Sequence, residues 1–234
     1  MPTAIPPAPP VSLSPLGLVD LRGTGPVPGI LRYPPGAVLV VSGVPGSGKS
    51  TALNRWSAAA EVVDPRVTHV ACEGVMPGWL PYPVYRPWAR LRHFHWLCAA
   101  ARTGRPLLVH DCGSRPWIRR RLSRSLRRQG RELHLVLLDV SAADALAGQH
   151  ARGRRAPRRV FARHHRGLDR LLHALAATGA AAVPEAASVT LFDRDSRERL
   201  PGLEFGPEFG PEFGPGARPT AGPGVPKPRQ TLTP

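Results

Sequence analysis

The chain predicts a three-layer α/β/α fold built on a mostly parallel sheet. Three observations carry that expectation. An apolar run, Ala37-Val38-Leu39-Val40-Val41, leads straight into a glycine-rich octet and then into a helical stretch. Beyond it, strand-like and helix-like segments alternate, the pattern that lays crossover helices on both faces of a parallel sheet. Proline is concentrated at the ends, with ten in residues 1–35 and nine in residues 201–234 out of 29 in the chain, so the middle is free to fold. The expected organisation is therefore a Pro-rich disordered segment over 1–35, a folded domain over 36–200 and a low-complexity Gly/Pro/Phe tail over 201–234. The tail carries a four-residue repeat, EFGPEFGPEFGP, from Glu204 to Pro215, and recurrent Gly-Pro opposes both helix and sheet ladder. The roughly 165 residues that remain are enough for one well-buried core.

The elements follow in order. Val38–Ser42 reads as the first strand and Ser50–Ala60 as the first helix. Val67–Ala71 is a candidate second strand. Trp88–Ala101 has apolar residues at Trp88, Leu91, Phe94 and Cys98, a helical stripe. Leu107-Leu108-Val109 is a buried strand ending in His110-Asp111. Pro116–Gln129 is a helix with Ser114 placed to cap it, Gly130 to stop it, and Ile118, Leu122 and Leu126 as its inner face. Leu133–Leu138 is a further strand, Ser141–Ala151 and Val160–Ala177 are helices, and Val189–Phe192 is the last strand. No apolar run approaches the ~18 residues needed to cross a bilayer. The N-terminal MPTAIPPAPP has neither a basic leader nor an apolar core of the signal-peptide kind. Cys72, Cys98 and Cys112 are odd in number and lack C-x-x-C spacing, as expected of reduced thiols in a cytoplasmic protein.

The octet is Gly43-Val44-Pro45-Gly46-Ser47-Gly48-Lys49-Ser50, followed by Thr51. It fits G-x-x-x-x-G-K-[ST], a loop whose backbone N–H groups wrap the phosphates of a nucleoside triphosphate. Glycine lets the backbone curl around an anion, and the helix that follows adds partial positive charge at its N-terminus. Lys49 is one of only two lysines against 30 arginines. A compact ammonium fits inside such a loop, whereas a guanidinium fork is too broad. ATP and Mg2+ are the expected ligands, with the Ser50 hydroxyl on the metal. A strand-end carboxylate should complete the metal site. Asp111 is favoured because a polar loop follows it, while Asp139 also ends an apolar run but is positioned to open the next helix. Asp64, after Val62-Val63, is either a base for an acceptor hydroxyl or a loop aspartate opening the Asp-Pro turn.

The net charge is +16, and the stretch from Arg115 to Arg170 holds 16 arginines against four acids. Arg120, Arg124, Arg127 and Arg128 form one basic face. Arg152, Arg154, Arg155, Arg158 and Arg159 form a second cluster in a Gly- and Pro-punctuated segment that can close over a triphosphate. Such faces also permit contact with nucleic-acid phosphates. His93 with His95, and His164 with His165, lack the i, i+4 spacing of a zinc pair. The segment Pro77–Pro87, PGWLPYPVYRP, is expected to line part of the substrate side.

With these residues assembled, the chain resembles the small P-loop kinase-like ATPases of the zeta-toxin and polynucleotide-kinase type, described as AAA-family ATP-binding proteins. The likeness rests on GVPGSGKST at 43–51, LLVHDCGSRPWIRR at 107–120, LHLVLLDV at 133–140 and AGQHARGR at 147–154. It implies a P-loop NTPase fold with a sheet of about five strands and the phosphate-loop strand central in it. It also implies Asp64 as the hydroxyl-activating base and Arg152, Arg154 and Arg155 as phosphate contacts. One departure is that the arginine such proteins carry about five residues after the Asp is here His69. The expected activity is ATP-dependent transfer of a γ-phosphate to a hydroxyl of a small molecule or nucleotide end. The alternatives are an ATPase switch or a nucleotide-gated nucleic-acid-binding regulator. No membrane partner is expected.

Overall fold

The computed structural model describes residues 11–111, 116–153 and 156–206. Its elements in chain order begin with β1 (Ser12–Leu13), β2 (Gly17–Asp20), β3 (Ile30–Tyr33) and β4 (Val38–Gly43). Next come α1 (Lys49–Trp56), β5 (Glu61–Val63), α2 (Pro65–Glu73), α3 (Tyr82–Arg102), β6 (Leu107–His110) and α4 (Pro116–Arg127). The chain continues with β7 (Leu133–Leu138), α5 (Ala142–His150), α6 (Arg158–Thr178), a 3-10 turn (Gly179–Ala182), β8 (Ser188–Phe192), α7 (Arg194–Arg199) and β9 (Gly202–Phe205). The main sheet is six-stranded and wholly parallel, in the order β2-β8-β7-β4-β6-β5. A strand covered on both faces has no need to alternate, and every residue of β4, β6, β7 and β8 is buried. One apolar cluster, with Val40, Leu97, Leu122, Leu135 and Val189, fills one face. A second, with Leu39, Leu53, Trp56, Val136 and Phe192, fills the other. Each fully buried Val, Leu or Phe contributes about 1.5–3 kcal/mol, so these two layers hold the site rigid.

The parallel sheet, expected with about five strands, has six, because β2 pairs with the β8 edge, Leu18 opposite Val189. Other expectations are corrected. The ends of the fold are ordered where they were read as disordered. Residues 11–35 supply β1, β2 and β3, and the tail's first residues supply β9, forming a small parallel sheet in the order β1-β3-β9. The prolines of this region fall between the strands, where no ladder donor is needed. Residues 1–10, the repeat beyond Gly206 and the Ser114 cap lie outside the described residues.

The second strand is Glu61–Val63, not Val67–Ala71, which forms the middle of α2. Asp64 starts that helix: its Oδ1 accepts the Arg66 N–H at 2.8 Å, and Pro65 occupies the first turn. Val67 and Val70 stay exposed, so their β-branching has no sheet to serve. On α3 the buried residues are Tyr85, Ala89, Leu97, Ala100 and Ala101. Trp88 and Leu91 of the expected stripe are 42% and 54% exposed. Small alanines let the helix approach the sheet, and of the stripe Phe94 faces α4, its ring 6.0 Å from that of Trp117.

Candidate functional site

The glycine-rich octet joins β4 to α1, with β4 between β6 and β7, so its loop opens at the C-terminal edge of the sheet centre. Gly46 and Gly48 have φ of +94° and +89°, a region that L side chains rarely enter. Close approach is a second reason for glycine here. A Cβ on Gly46 would meet the Ala145 carbonyl of α5, and one on Gly48 would meet the Arg197 guanidinium. Lys49 is buried, and its Nζ donates to the carbonyls of Gly43 (2.8 Å) and Val44 (2.9 Å), which holds the loop closed on itself. Among the described residues the N–H groups of Gly46, Gly48, Ser50 and Thr51 have no backbone acceptor. Unsatisfied donors at a helix N-terminus fit a polyphosphate.

Clamps from distant sequence hold this loop. Gln149 of α5 donates to Pro45 O at 3.0 Å and accepts from the Ala156 N–H at 2.7 Å. Arg197 of α7, buried, donates to Ser47 O at 2.9 Å and to Glu198 Oε1 at 2.7 Å. Arg152 donates to the Thr51 hydroxyl at 2.8 Å, so this arginine does reach the loop. Arg154 and Arg155 lie outside the described residues. Sequence reasoning missed Gln149 and Arg197. Nothing local marks them, although the AGQHARGR stretch contains the first.

A cleft of about 370 Å³ opens over the loop, lined by Lys49, Ser50, Arg66, His69, His110 and Arg152 among others. Tyr82 from the Pro77–Pro87 segment also lines it, stacked on His69 at 4.3 Å, whereas Trp79 points to solvent. Two residues after Asp64, Arg66 supplies a cation on this face, which His69 also lines. Asp111 follows β6 directly, and its Oδ2 accepts the Ser42 hydroxyl at 3.2 Å beside the start of the loop. Asp139, at the end of β7, is instead bound to Arg22 at 2.5 Å, within a cluster that includes Asp20. The serine hydroxyl and aspartate oxygens are hard donors that suit Mg2+, and of the two strand-end carboxylates only Asp111 stands clear of that arginine. Among the described residues no group of three His, Cys, Asp or Glu side chains could hold a metal by itself.

The imidazole of His110 separates this cleft from its surroundings. Its Nδ1 lies 3.6 Å from Asp64 Oδ1. Burial drives its pKa down to about 4, against the opposing pull of the Asp64 carboxylate. The ring is thus neutral at pH 7 and does not form a full ion pair with Asp64. The only hydrogen bond to Asp64 among the described residues ends on Oδ1, so Oδ2 is the oxygen with remaining capacity.

The AAA domain family matches residues 38–171. The chain belongs to this family, and the octet Gly43–Ser50 at the end of β4 is its P-loop. No curated protein matches it significantly. Among solved structures it is similar to a tunicamycin resistance protein of Deinococcus radiodurans, at 22% identity over 57% of this chain and 80% of that one, with a TM-score of 0.42. A sugar kinase from Janibacter is 21% identical over 70% of this chain and 90% of the other, with a TM-score of 0.39. A gluconokinase from Sinorhizobium meliloti is 18% identical over 68% and 84%, with a TM-score of 0.40. Among the described residues no helix is long and apolar enough to cross a membrane.

Proposed function

We propose that the chain is a phosphotransferase that moves the γ-phosphate of ATP to a hydroxyl, with Asp64 as the base. The observation that carries this reading is the convergence at His110: one ring lies 3.6 Å from the Asp64 carboxylate and also lines the cleft of Lys49 and Ser50. In the proposed step the acceptor oxygen forms a bond to the γ-phosphorus and the bond to the β–γ bridging oxygen breaks. ADP leaves, and the hydroxyl proton passes to Asp64. Lys49 balances charge on the phosphates, and Arg152 with Arg66 would neutralise the equatorial oxygens. Arg154 and Arg155 are proposed for the same duty. Mg2+ held by Ser50 and Asp111 would screen the triphosphate and orient it for in-line transfer. Two free cysteines, Cys72 and Cys98, accord with work in the cytoplasm.

The test is γ-phosphate transfer to a panel of hydroxyl acceptors by the wild type and by Asp64→Asn. Transfer should fall by about 10²–10⁴-fold, with ATP affinity within about threefold of wild type because Asp64 is not part of the phosphate loop. An Asp64→Asn protein that transfers at the wild-type rate would exclude the base role. Turnover indifferent to every acceptor would favour an ATPase switch.

A further inference from the structure

Behind His110 lies a second cavity, of about 310 Å³, between α3 and α4. His110 belongs to the walls of both spaces. The interior of the second is mainly aliphatic and aromatic, with Phe94, Leu97, Val109, Ile118 and Leu122, while Arg90, His93 and Asp111 line its polar part beside His110. Its Arg119 is buried and ion-paired to Glu185 at 3.2 Å, so the pair brings no net charge to the wall. Phe94, Leu97 and Leu122 also line a groove of about 300 Å³ that carries Arg102, Arg121, Arg124 and Arg128 and no acid. Among the described residues none of these four arginines has a carboxylate within ion-pair distance. The guanidinium of Arg121 sits 5.3 Å over the Phe94 ring, where cavity and groove meet.

An apolar cavity and an all-cationic groove that share three side chains select for one chemistry. A polyol or a sugar would find polar partners only at the Arg90, His93, His110 and Asp111 part of the wall and would bury its other hydroxyls against carbon. An apolar body gains by entering it. Four like charges around one groove raise the local potential and attract an anion. Resting on the phosphotransferase reading, we infer that the acceptor is an amphipathic anion. Its hydroxyl lies at the Asp64–His110 wall, its apolar body fills the α3–α4 cavity, and its carboxylate or phosphate lies against Arg124 and Arg128. Helix rise sets those two arginines about 9–15 Å beyond Ile118, a reach spanned by a saturated chain of roughly eight to twelve carbons. Much of the basic face of α4 is then an acceptor-reading device.

The experiment uses the full chain in two arms. Calorimetric titration with dodecanoate, which has no hydroxyl to phosphorylate, reads the groove alone. Saturable binding is expected, weakened at least tenfold in the Arg124→Glu/Arg128→Glu double variant. The second arm follows γ-phosphate transfer from ATP with Mg2+ to 12-hydroxydodecanoate, 1,12-dodecanediol, glycerol and a 5′-hydroxyl oligonucleotide. The hydroxy acid should exceed the diol by about tenfold in kcat/KM, with glycerol and the oligonucleotide below both. The double variant should erase the acid's advantage through KM. Absent dodecanoate binding, binding indifferent to the double variant, or preferred transfer to glycerol or the oligonucleotide would each overturn the inference. Arginine-dependent dodecanoate binding with no transfer to any acceptor would keep the groove and overturn the phosphotransferase reading instead.

Discussion

The phosphate side and the proposed acceptor side of this protein are built on different principles. The phosphate side is backbone: donors of Gly46, Gly48, Ser50 and Thr51, two left-handed glycines, and a lysine folded back onto loop carbonyls. The acceptor side is side chain: Asp64 from the end of β5, His110 from β6, Phe94 and Leu97 from α3, and Ile118 and Leu122 from α4. Backbone recognition of an anion is local and needs a fixed residue spacing. Side-chain recognition of an organic body needs only the right surfaces to meet, and many sequences can supply them. One half of such a site can therefore stay constant while the other is reshaped.

The sharpest way to break the comparison is Lys49→Ala. The loop would lose both bonds to Gly43 and Val44 and the cation that faces the phosphates, and turnover of ATP with magnesium should drop by about a thousandfold or more. If Lys49→Ala left ATP affinity as little changed as Asp64→Asn is expected to, the two sides would not be separable as described.

The next effect comes from the sheet beneath both sides. His134 on β7 is buried against the Tyr33 ring, with Nδ1 2.8 Å from the Ser188 hydroxyl and Nε2 3.4 Å from Glu132. Burial holds its pKa at about 4, below the ordinary 6.5. Between those values the unfolded chain binds a proton that the native chain refuses. Stability from this group is therefore complete above about pH 6.5 and is lost as pH falls toward 4, by at most about 3 kcal/mol. Denaturant melts at pH 7 and pH 5 would measure the slope, which His134→Gln should reduce.

The smallest change is Gln149→Ala. It removes one bond to Pro45 and one from Ala156, for a loss of about 1–2 kcal/mol in stability. It should weaken ATP binding by several-fold and leave dodecanoate binding alone, because α5 contributes to neither the cavity nor the groove.

Arginine illustrates how far residue type can be read. In the sequence, 30 arginines read as basic faces and a lid. In the structure several are carbonyl clamps. Arg131 donates to Gly36 O (2.6 Å), Arg105 O (2.6 Å) and Ala101 O, pinning the entry to β4. Arg55 ties α1 to α7 through Glu198 O at 2.9 Å. Arg119 and Arg197 are buried, and Arg22 locks β2 to the end of β7. A planar fork of five donors suits this work, but its targets are carbonyls that no sequence pattern marks.

The sequence by itself determined the phosphate loop, the central strands β4, β6, β7 and β8, and the helices that cross between them. Each is written in contiguous residues, as an apolar run, a capping spacing or a glycine position. It favoured Asp111 over Asp139 as an expectation for the metal, and the pairing of Asp139 with Arg22 came only with the fold. Tertiary structure alone decided the sixth strand, the small β1-β3-β9 sheet, the helical fate of Val67–Ala71 and the direction in which Trp88 and Leu91 point. These depend on which edge was open and which neighbour left room, and such contacts join residues more than a hundred positions apart. Leu18 on β2 is a strand residue because Val189 offers it a parallel edge.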